Sequence, residues 1–292
     1  LIFFNLCILL SAFEFLRDNS LFILCLFLIL SLGISHGAMD HIKGKKLLKI
    51  LNYKSTSTFY ILYIFIGASI ILLWLLFPKI LLLIFLIIAS YHFGKEDSEF
   101  INFKSNFDLI YFFKGSLVIT APLLFHKTET LNIFNNLNFD ISQSLFIINE
   151  FLYVFIAISL LSNIIISLNK KIDIKSLLLM DFISILLLNY FLSPILAFTI
   201  YFCFLHSIRH SFKLSNELNK KNFIKGFKEF LIKAMPLTIL TAILFLISLF
   251  FLNNYYFLDN AISKVIFIGL ASLTFPHILL EYFLEKNEKQ RN

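Results

Sequence analysis

The feature that most constrains this chain is a series of long apolar runs separated by short polar segments. The runs cover residues 1–16, 21–34, 59–77, 80–92, 109–125, 145–168, 177–191, 195–210, 230–252 and 262–283. Several of them approach the roughly 20 residues that a helix needs to cross a bilayer. Apolar residues fill 59% of the 292 positions, against roughly 45–50% in a soluble domain. Because lipid leaves backbone polar groups to be satisfied within each segment, the runs predict an all-α, polytopic transmembrane helix bundle.

The run lengths predict about ten spans, with eight or nine also possible. The runs at 21–34 and 80–92 are short for a full crossing. Pro78 and Pro194 divide what would otherwise be continuous apolar stretches, since proline tends to end the preceding helix. No extended soluble domain is visible, so residues 1–292 are predicted to form a single integral membrane domain.

The charge distribution predicts the orientation of these spans. The formal net charge is +7, but the basic residues cluster in short loops rather than on a nucleic-acid-binding surface. Such clusters follow the second, sixth, eighth and tenth runs, at residues 43–54, 170–175, 213–228 and 286–291. With ten spans all four clusters fall on one side, which the positive-inside rule makes cytoplasmic. We therefore predict a multi-pass protein of the cell membrane with both termini in the cytoplasm and no nucleic-acid partner.

Five of the seven histidines share one predicted depth. At about 1.5 Å per helical residue, they lie roughly 4–13 Å before the lysines that end their runs. They come from four different runs: His36, His92, His206, His210 and His277. His126 falls on the opposite side, and we expect His41, beside the lysine run, to be solvated.

This histidine layer predicts a metal site between helices near the cytoplasmic face. His206 and His210 are four residues apart and share one helical face, and neutral imidazoles bind iron, copper, nickel or zinc. The alternative is that each histidine makes an ordinary interhelical hydrogen bond. Asp40 could orient a ligand imidazole or lie at a solvated helix end, and His277 could be a ligand, orient one or pack. We expect Arg209 to point away from the histidine face and to serve a structural role.

Four segments resemble the Brp/Blh-type β-carotene 15,15′-dioxygenase family in sequence, order and approximate spacing. They read SHGAMDH at 35–41, SYHFGKED at 90–97, HSIRH at 206–210 and PHILLE at 276–281. The resemblance implies an Fe(2+)-dependent membrane enzyme that uses O2 to split β-carotene at its central double bond into two molecules of all-trans-retinal. It also implies that the iron ligands are His36, His92, His206 and His210.

Three other functions compete with this one. A membrane diiron hydroxylase would need about eight histidines in several boxes, and this chain has seven in total. A membrane metal-ion transporter would place its ligands near the bilayer midplane, often between repeated halves, whereas these histidines lie off-centre. The possibility that the protein binds carotenoid without cleaving it stays open. The resemblance favours the carotenoid-cleaving enzyme over all three.

Overall fold

The computed structural model describes residues 1–17, 21–35, 37–53, 55, 57–101, 108–139, 149–168 and 170–289. Regular secondary structure in these ranges is helical, with no strand among them. The α-helices are α1 (Ile2–Ser11), α2 (Glu14–Arg17), α3 (Phe22–Leu28), α4 (Asp40–Ile50), α5 (Ser57–Leu76), α6 (Pro78–Glu96), α7 (Asp108–Phe125), α8 (Lys127–Asn136), α9 (Asn149–Ser167), α10 (Ile172–Phe191), α11 (Pro194–Ile200), α12 (Ile208–Leu218), α13 (Phe223–Leu252) and α14 (Leu258–Lys289). Short 3₁₀ turns cover Gly37–Met39 and Glu99–Ile101, and π-helical segments cover Ile29–Gly33 and Tyr201–Ser207.

Nine helical stretches within the described residues are long and apolar enough to cross a membrane. They are Phe22–Ile50, Ser57–Leu76, Pro78–Ile101, Asp108–Phe125, Glu150–Ser167, Ile172–Phe191, Pro194–Leu218, Phe223–Leu252 and Leu258–Glu288. The prediction of an all-α, polytopic protein with eight to ten spans is confirmed.

The difference from a count of ten lies in the first apolar run. There α1 ends at Ser11, whose hydroxyl donates to the carbonyl oxygen of Ile8. Ten helical residues extend about 15 Å, which is half of the roughly 30 Å hydrocarbon core. Glu14 and Arg17 then interrupt the apolar sequence.

The chain divides into two compact units. The first unit is Leu1–Cys25 with Leu82–Arg209, and the second is Leu26–Leu81 with His210–Asn292. In the first unit α7 packs against α9 and α10, and α1 packs against α10. In the second unit α14 packs against α4, α5 and α13. The single integral membrane domain stays a prediction.

Burial separates helices that face lipid from helices that carry the polar groups. Only 6% of the most apolar window of Phe223–Leu252 is buried, against 72% for Pro194–Leu218. Large apolar side chains of α13, such as Ile232, Leu244 and Phe250, are exposed, as expected where lipid replaces water. Pro194–Leu218 contains His206 and His210, both almost completely buried. The buried polar residues therefore concentrate on helices that are enclosed by protein.

Candidate metal centre

Two histidines and a glutamate meet inside the first unit. His92 and Glu96 lie one turn apart on α6, and their Nε2 and Oε2 atoms are 3.5 Å apart. The same Glu96 oxygen lies 3.4 Å from Nε2 of His206. The side chains of the three residues are 6%, 3% and 0% exposed. Oε2 of Glu96 therefore lies close to Nε2 of both histidines in a buried position, and all three atoms can coordinate a metal.

These separations fit a shared metal ion. Imidazole and carboxylate ligands lie about 2.0–2.2 Å from ions such as zinc. Two ligands of one ion are therefore about 3.0 Å apart at octahedral angles and about 3.4 Å apart at tetrahedral ones. The observed 3.4 and 3.5 Å lie at the upper end of that range. The centre fits a transition metal by donor type, since imidazole suits iron, copper, nickel and zinc.

The local backbone explains how α6 brings its polar turn so close to α7. A Cβ atom added at Gly94 would collide with the backbone carbonyl of Tyr111, and one added at Gly115 would collide with that of Ser90. Only glycine allows two backbones to approach this closely. The crossing lies between His92 and Glu96 in sequence, so it fixes the turn that carries both.

His206 lies in the π-helical segment Tyr201–Ser207. Single π turns inside α-helices are uncommon and occur frequently at functional sites. The ring of His206 lies between aromatic neighbours, with the Phe93 centroid at 4.9 Å and the stacked Phe202 centroid at 5.6 Å. These rings surround the imidazole with apolar surface.

A buried aspartate fixes the orientation of the His206 ring. Oδ1 of Asp97 lies 3.0 Å from Nδ1 of His206, and Tyr201 donates its hydroxyl to Oδ2 at 2.6 Å. A carboxylate only accepts, so Nδ1 of His206 must carry the proton. The lone pair of His206 is then on Nε2, the atom that faces Glu96. Carboxylates that hold metal-binding histidines act in this way.

A second layer of charge lies behind Asp97. Arg209 donates to the backbone carbonyl of Asp97 at 3.3 Å and pairs with Asp181 at 2.9 Å. The buried Lys114 lines a small cavity together with Asp97, Asp181 and Tyr201. Arg209 therefore forms an ion pair with Asp181, and its structural role stays a prediction.

The second unit holds a similar arrangement around His277. Nδ1 of His277 donates to Asp40 at 2.8 Å, and Tyr63 donates its hydroxyl to Oδ2 of Asp40, also at 2.8 Å. The tyrosine, aspartate and histidine repeat the order found at Tyr201, Asp97 and His206. Here too the carboxylate places the ring proton on Nδ1 and the lone pair on Nε2.

His210 lies beside His277 in the second unit, and their ring centroids are 6.2 Å apart. The Lys43 ammonium lies 3.4 Å from Nε2 of His210 and donates to Glu281 at 2.6 Å. An ammonium has only donors, so Nε2 of His210 accepts. A metal would use that same lone pair.

The structure thus places the predicted residues in two groups. The first unit joins His92 and His206, and the second joins His210, His277 and Asp40. His36 lies outside the described residues, so its role as a ligand stays a prediction. Asp40 contacts His277, which the sequence could not specify.

Sequence reasoning included Asp40 but missed the other carboxylates that lie beside the histidines, Glu96, Glu281 and Asp97. Glu96 follows His92 by four residues and Glu281 follows His277 by four, a spacing that places each pair on one helical face. That repeated spacing was the available signal. Asp97, which contacts a histidine 109 residues away, left no comparable local signal.

Comparison with known proteins gives two findings. The model of the family described as "Beta-carotene 15,15'-dioxygenase" matches residues 27–285. A relative of that same name from Uncultured marine bacterium 66A03 is 27% identical over 271 residues, which are 90% of this chain and 94% of the relative. No solved structure matches the chain. The resemblance found in the four motifs is confirmed.

Proposed function

Because the chain belongs to the β-carotene 15,15′-dioxygenase family, we propose that it cleaves β-carotene with O2 at the central 15,15′ double bond and releases two molecules of all-trans-retinal. The buried group of His92, His206 and Glu96 is the observation that carries this proposal. It supplies metal-binding atoms in an enzyme family whose name denotes an oxygen-dependent reaction. The relative from the marine bacterium supports the same substrate.

Fe(2+) is the proposed cofactor. His92 and His206 would hold it in the first unit, and His36 and His210 complete the predicted ligand set. When bound, Fe(2+) supplies the activation of O2 that a polyene and imidazoles cannot provide alone. Sites built from imidazole and carboxylate groups with open positions are characteristic of non-heme Fe(II) oxygenases.

The protein's own residues would provide orientation and an apolar environment. Asp97 holds His206 in one tautomer and one direction. Phe93 and Phe202 surround that imidazole and would exclude water while contacting the polyene. Positioning the central double bond in this way can contribute several kcal/mol to catalysis.

The bilayer is the proposed source of substrate. β-Carotene dissolves in lipid, and the apolar faces of α5 and α13 are largely exposed, so we propose lateral entry between helices. We also propose the cell membrane as the location. From Phe22–Ile50 onward, successive crossings would keep all the lysine-rich segments on one face, and by the positive-inside rule we propose that this face and the C-terminus are cytoplasmic. A cytoplasmic N-terminus requires the first apolar run to cross as well.

The test is retinal formation in a bacterial host that accumulates β-carotene. We expect retinal on expression of this chain, none with His206→Ala, and a wild-type amount with His126→Ala, a control from outside the histidine layer. Products of other chain lengths would indicate cleavage at another double bond. Intact β-carotene that co-purifies with the wild-type protein, without retinal, would contradict the proposal and favour carotenoid binding.

A further inference from the structure

The position of Glu96 distinguishes it from the carboxylates that orient histidines. Its Oε2 atom contacts Nε2 of both His92 and His206, at 3.5 and 3.4 Å. Asp97 instead contacts Nδ1 of His206. Because Nδ1 carries the proton, Nε2 is the atom through which His206 would bind a metal. Glu96 therefore lies on the metal-binding side of this imidazole, whereas Asp97 lies behind it.

We propose that Glu96 is itself a metal ligand and completes a set of two histidines and one carboxylate with His92 and His206. Such a set is characteristic of non-heme Fe(II) sites and leaves positions for further ligands. The inference rests on the proposed function for the identity of the metal as iron. The ligand assignment itself rests on the two contacts that Oε2 of Glu96 makes within the first unit, with Nε2 of His92 and with Nε2 of His206.

Charge supports a carboxylate at this position. Imidazoles bind as neutral ligands, so a site built from histidines alone keeps the full 2+ charge of the ion in a buried location. An anionic Glu96 lowers the charge of the metal and its ligands by one, which reduces the cost of burying it. The same ion would offset the charge of the buried carboxylate.

Glu281 offers a matched comparison. It also follows a histidine by four residues, but its Oε1 atom lies 3.9 Å from Nε2 of His277 and 2.6 Å from the ammonium of Lys43. Its side chain is 20% exposed, against 3% for Glu96. Lys43 already neutralises this carboxylate, so we do not assign it as a ligand.

Metal binding by the purified, detergent-solubilised chain tests the assignment. Co(2+) is the probe, because its visible absorption reports ligand type and number, and iron content is measured in parallel. We expect Glu96→Gln to lose at least about 100-fold in Co(2+) affinity and to change the absorption spectrum. Glu96→Asp should retain part of the affinity, and Glu281→Gln should remain within about threefold of wild type. Wild-type affinity and spectrum in Glu96→Gln, or equal losses in both glutamine variants, would overturn the proposal.

A measurement on the wild-type protein tests the same assignment without requiring any variant to fold. Metal-induced infrared difference spectra of protein labelled with ¹³C-glutamate should show a shifted carboxylate band on Co(2+) binding. Absence of any shifted glutamate band would overturn the assignment. Both readouts are independent of carotenoid cleavage. A wild-type protein that shows the glutamate band and yet forms no retinal would refute the proposed function and leave the ligand assignment intact.

Discussion

Replacing Asp97 with asparagine tests whether the hydrogen bond to His206 prepares a metal ligand. The carboxylate accepts from two buried donors, Nδ1–H of His206 at 3.0 Å and the Tyr201 hydroxyl at 2.6 Å. An amide has only one oxygen to offer. If that oxygen faces His206, the Nδ1–H tautomer survives with a weaker, uncharged acceptor. If the amide NH₂ faces His206 instead, Nδ1 must accept and the proton moves to Nε2, which blocks metal binding there.

The expected loss in metal affinity is about 10–100-fold, typical for removal of a group that orients a ligand histidine. This corresponds to about 1.4–2.8 kcal/mol, at 1.4 kcal/mol for each factor of ten. Asp97→Ala should be more damaging, because it leaves two buried donors without an acceptor, and each unsatisfied donor costs about 1–3 kcal/mol of folding stability. We expect that variant to lose about 2–6 kcal/mol of folding stability in addition to its metal.

Anaerobic titration of purified apo-protein with Fe(2+) or Co(2+) measures the effect of Asp97→Asn. The control is Asp181→Asn, which removes another buried carboxylate of the same unit that pairs with Arg209. We expect the control to stay within about threefold of the wild-type affinity. If Asp97→Asn binds metal as tightly as wild type, the reasoning from the His206 hydrogen bond is refuted. An equal loss in both variants would refute it too.

Two further perturbations test the second unit and the helix crossing. Asp40→Asn should lower metal affinity by about 10–100-fold if His277 or a neighbouring imidazole depends on it, and a wild-type titration would leave the Asp40–His277 bond with a purely structural role. Gly115→Ala should lower folding stability by about 1–3 kcal/mol, because its methyl group meets the carbonyl of Ser90 and forces the helices apart. Gly37→Ala is the control, since a Cβ atom there meets no atom of the described residues within 4 Å. Thermal unfolding in detergent compares the two alanine variants, and equal stabilities would contradict the packing argument.

The sequence predicts much of the architecture, because the apolar runs are long and the bilayer requires helices. It fails at the first run, where the distance from residue 1 to Leu16 suggests a span but the helix ends at Ser11. Apolarity alone does not show where a short helix stops before charged residues. The crossing at Gly94 and Gly115 was not predicted either, because Gly94 lies near the end of α6, where a glycine has an ordinary explanation, and nothing in the sequence pairs it with Gly115 inside α7.

The site could be predicted only for residues whose spacing along the sequence indicates that they lie close together. The four-residue spacing of His206 and His210 predicts that they share a helical face. The predicted membrane depth of His92, measured from the lysine that follows its run, matches theirs. Asp97 and Tyr201 contact each other and, through Asp97, His206 only in the folded structure. In the sequence, Asp97 is one of several charged residues after Gly94 and resembles part of a solvated helix end. Glu96 lay within a recognised motif, but its contact with His206 depends on how α6 packs.

The most direct test of the central claim is a titration of retinal formation against iron content in one purified sample. Protein loaded anaerobically with increasing Fe(2+) is exposed to O2 and β-carotene, and retinal and remaining β-carotene are both quantified. The account predicts activity proportional to bound iron, two retinal molecules for each β-carotene consumed, and neither iron nor retinal with His206→Ala. Retinal from iron-free protein, or β-carotene left intact by the fully loaded protein, would contradict it.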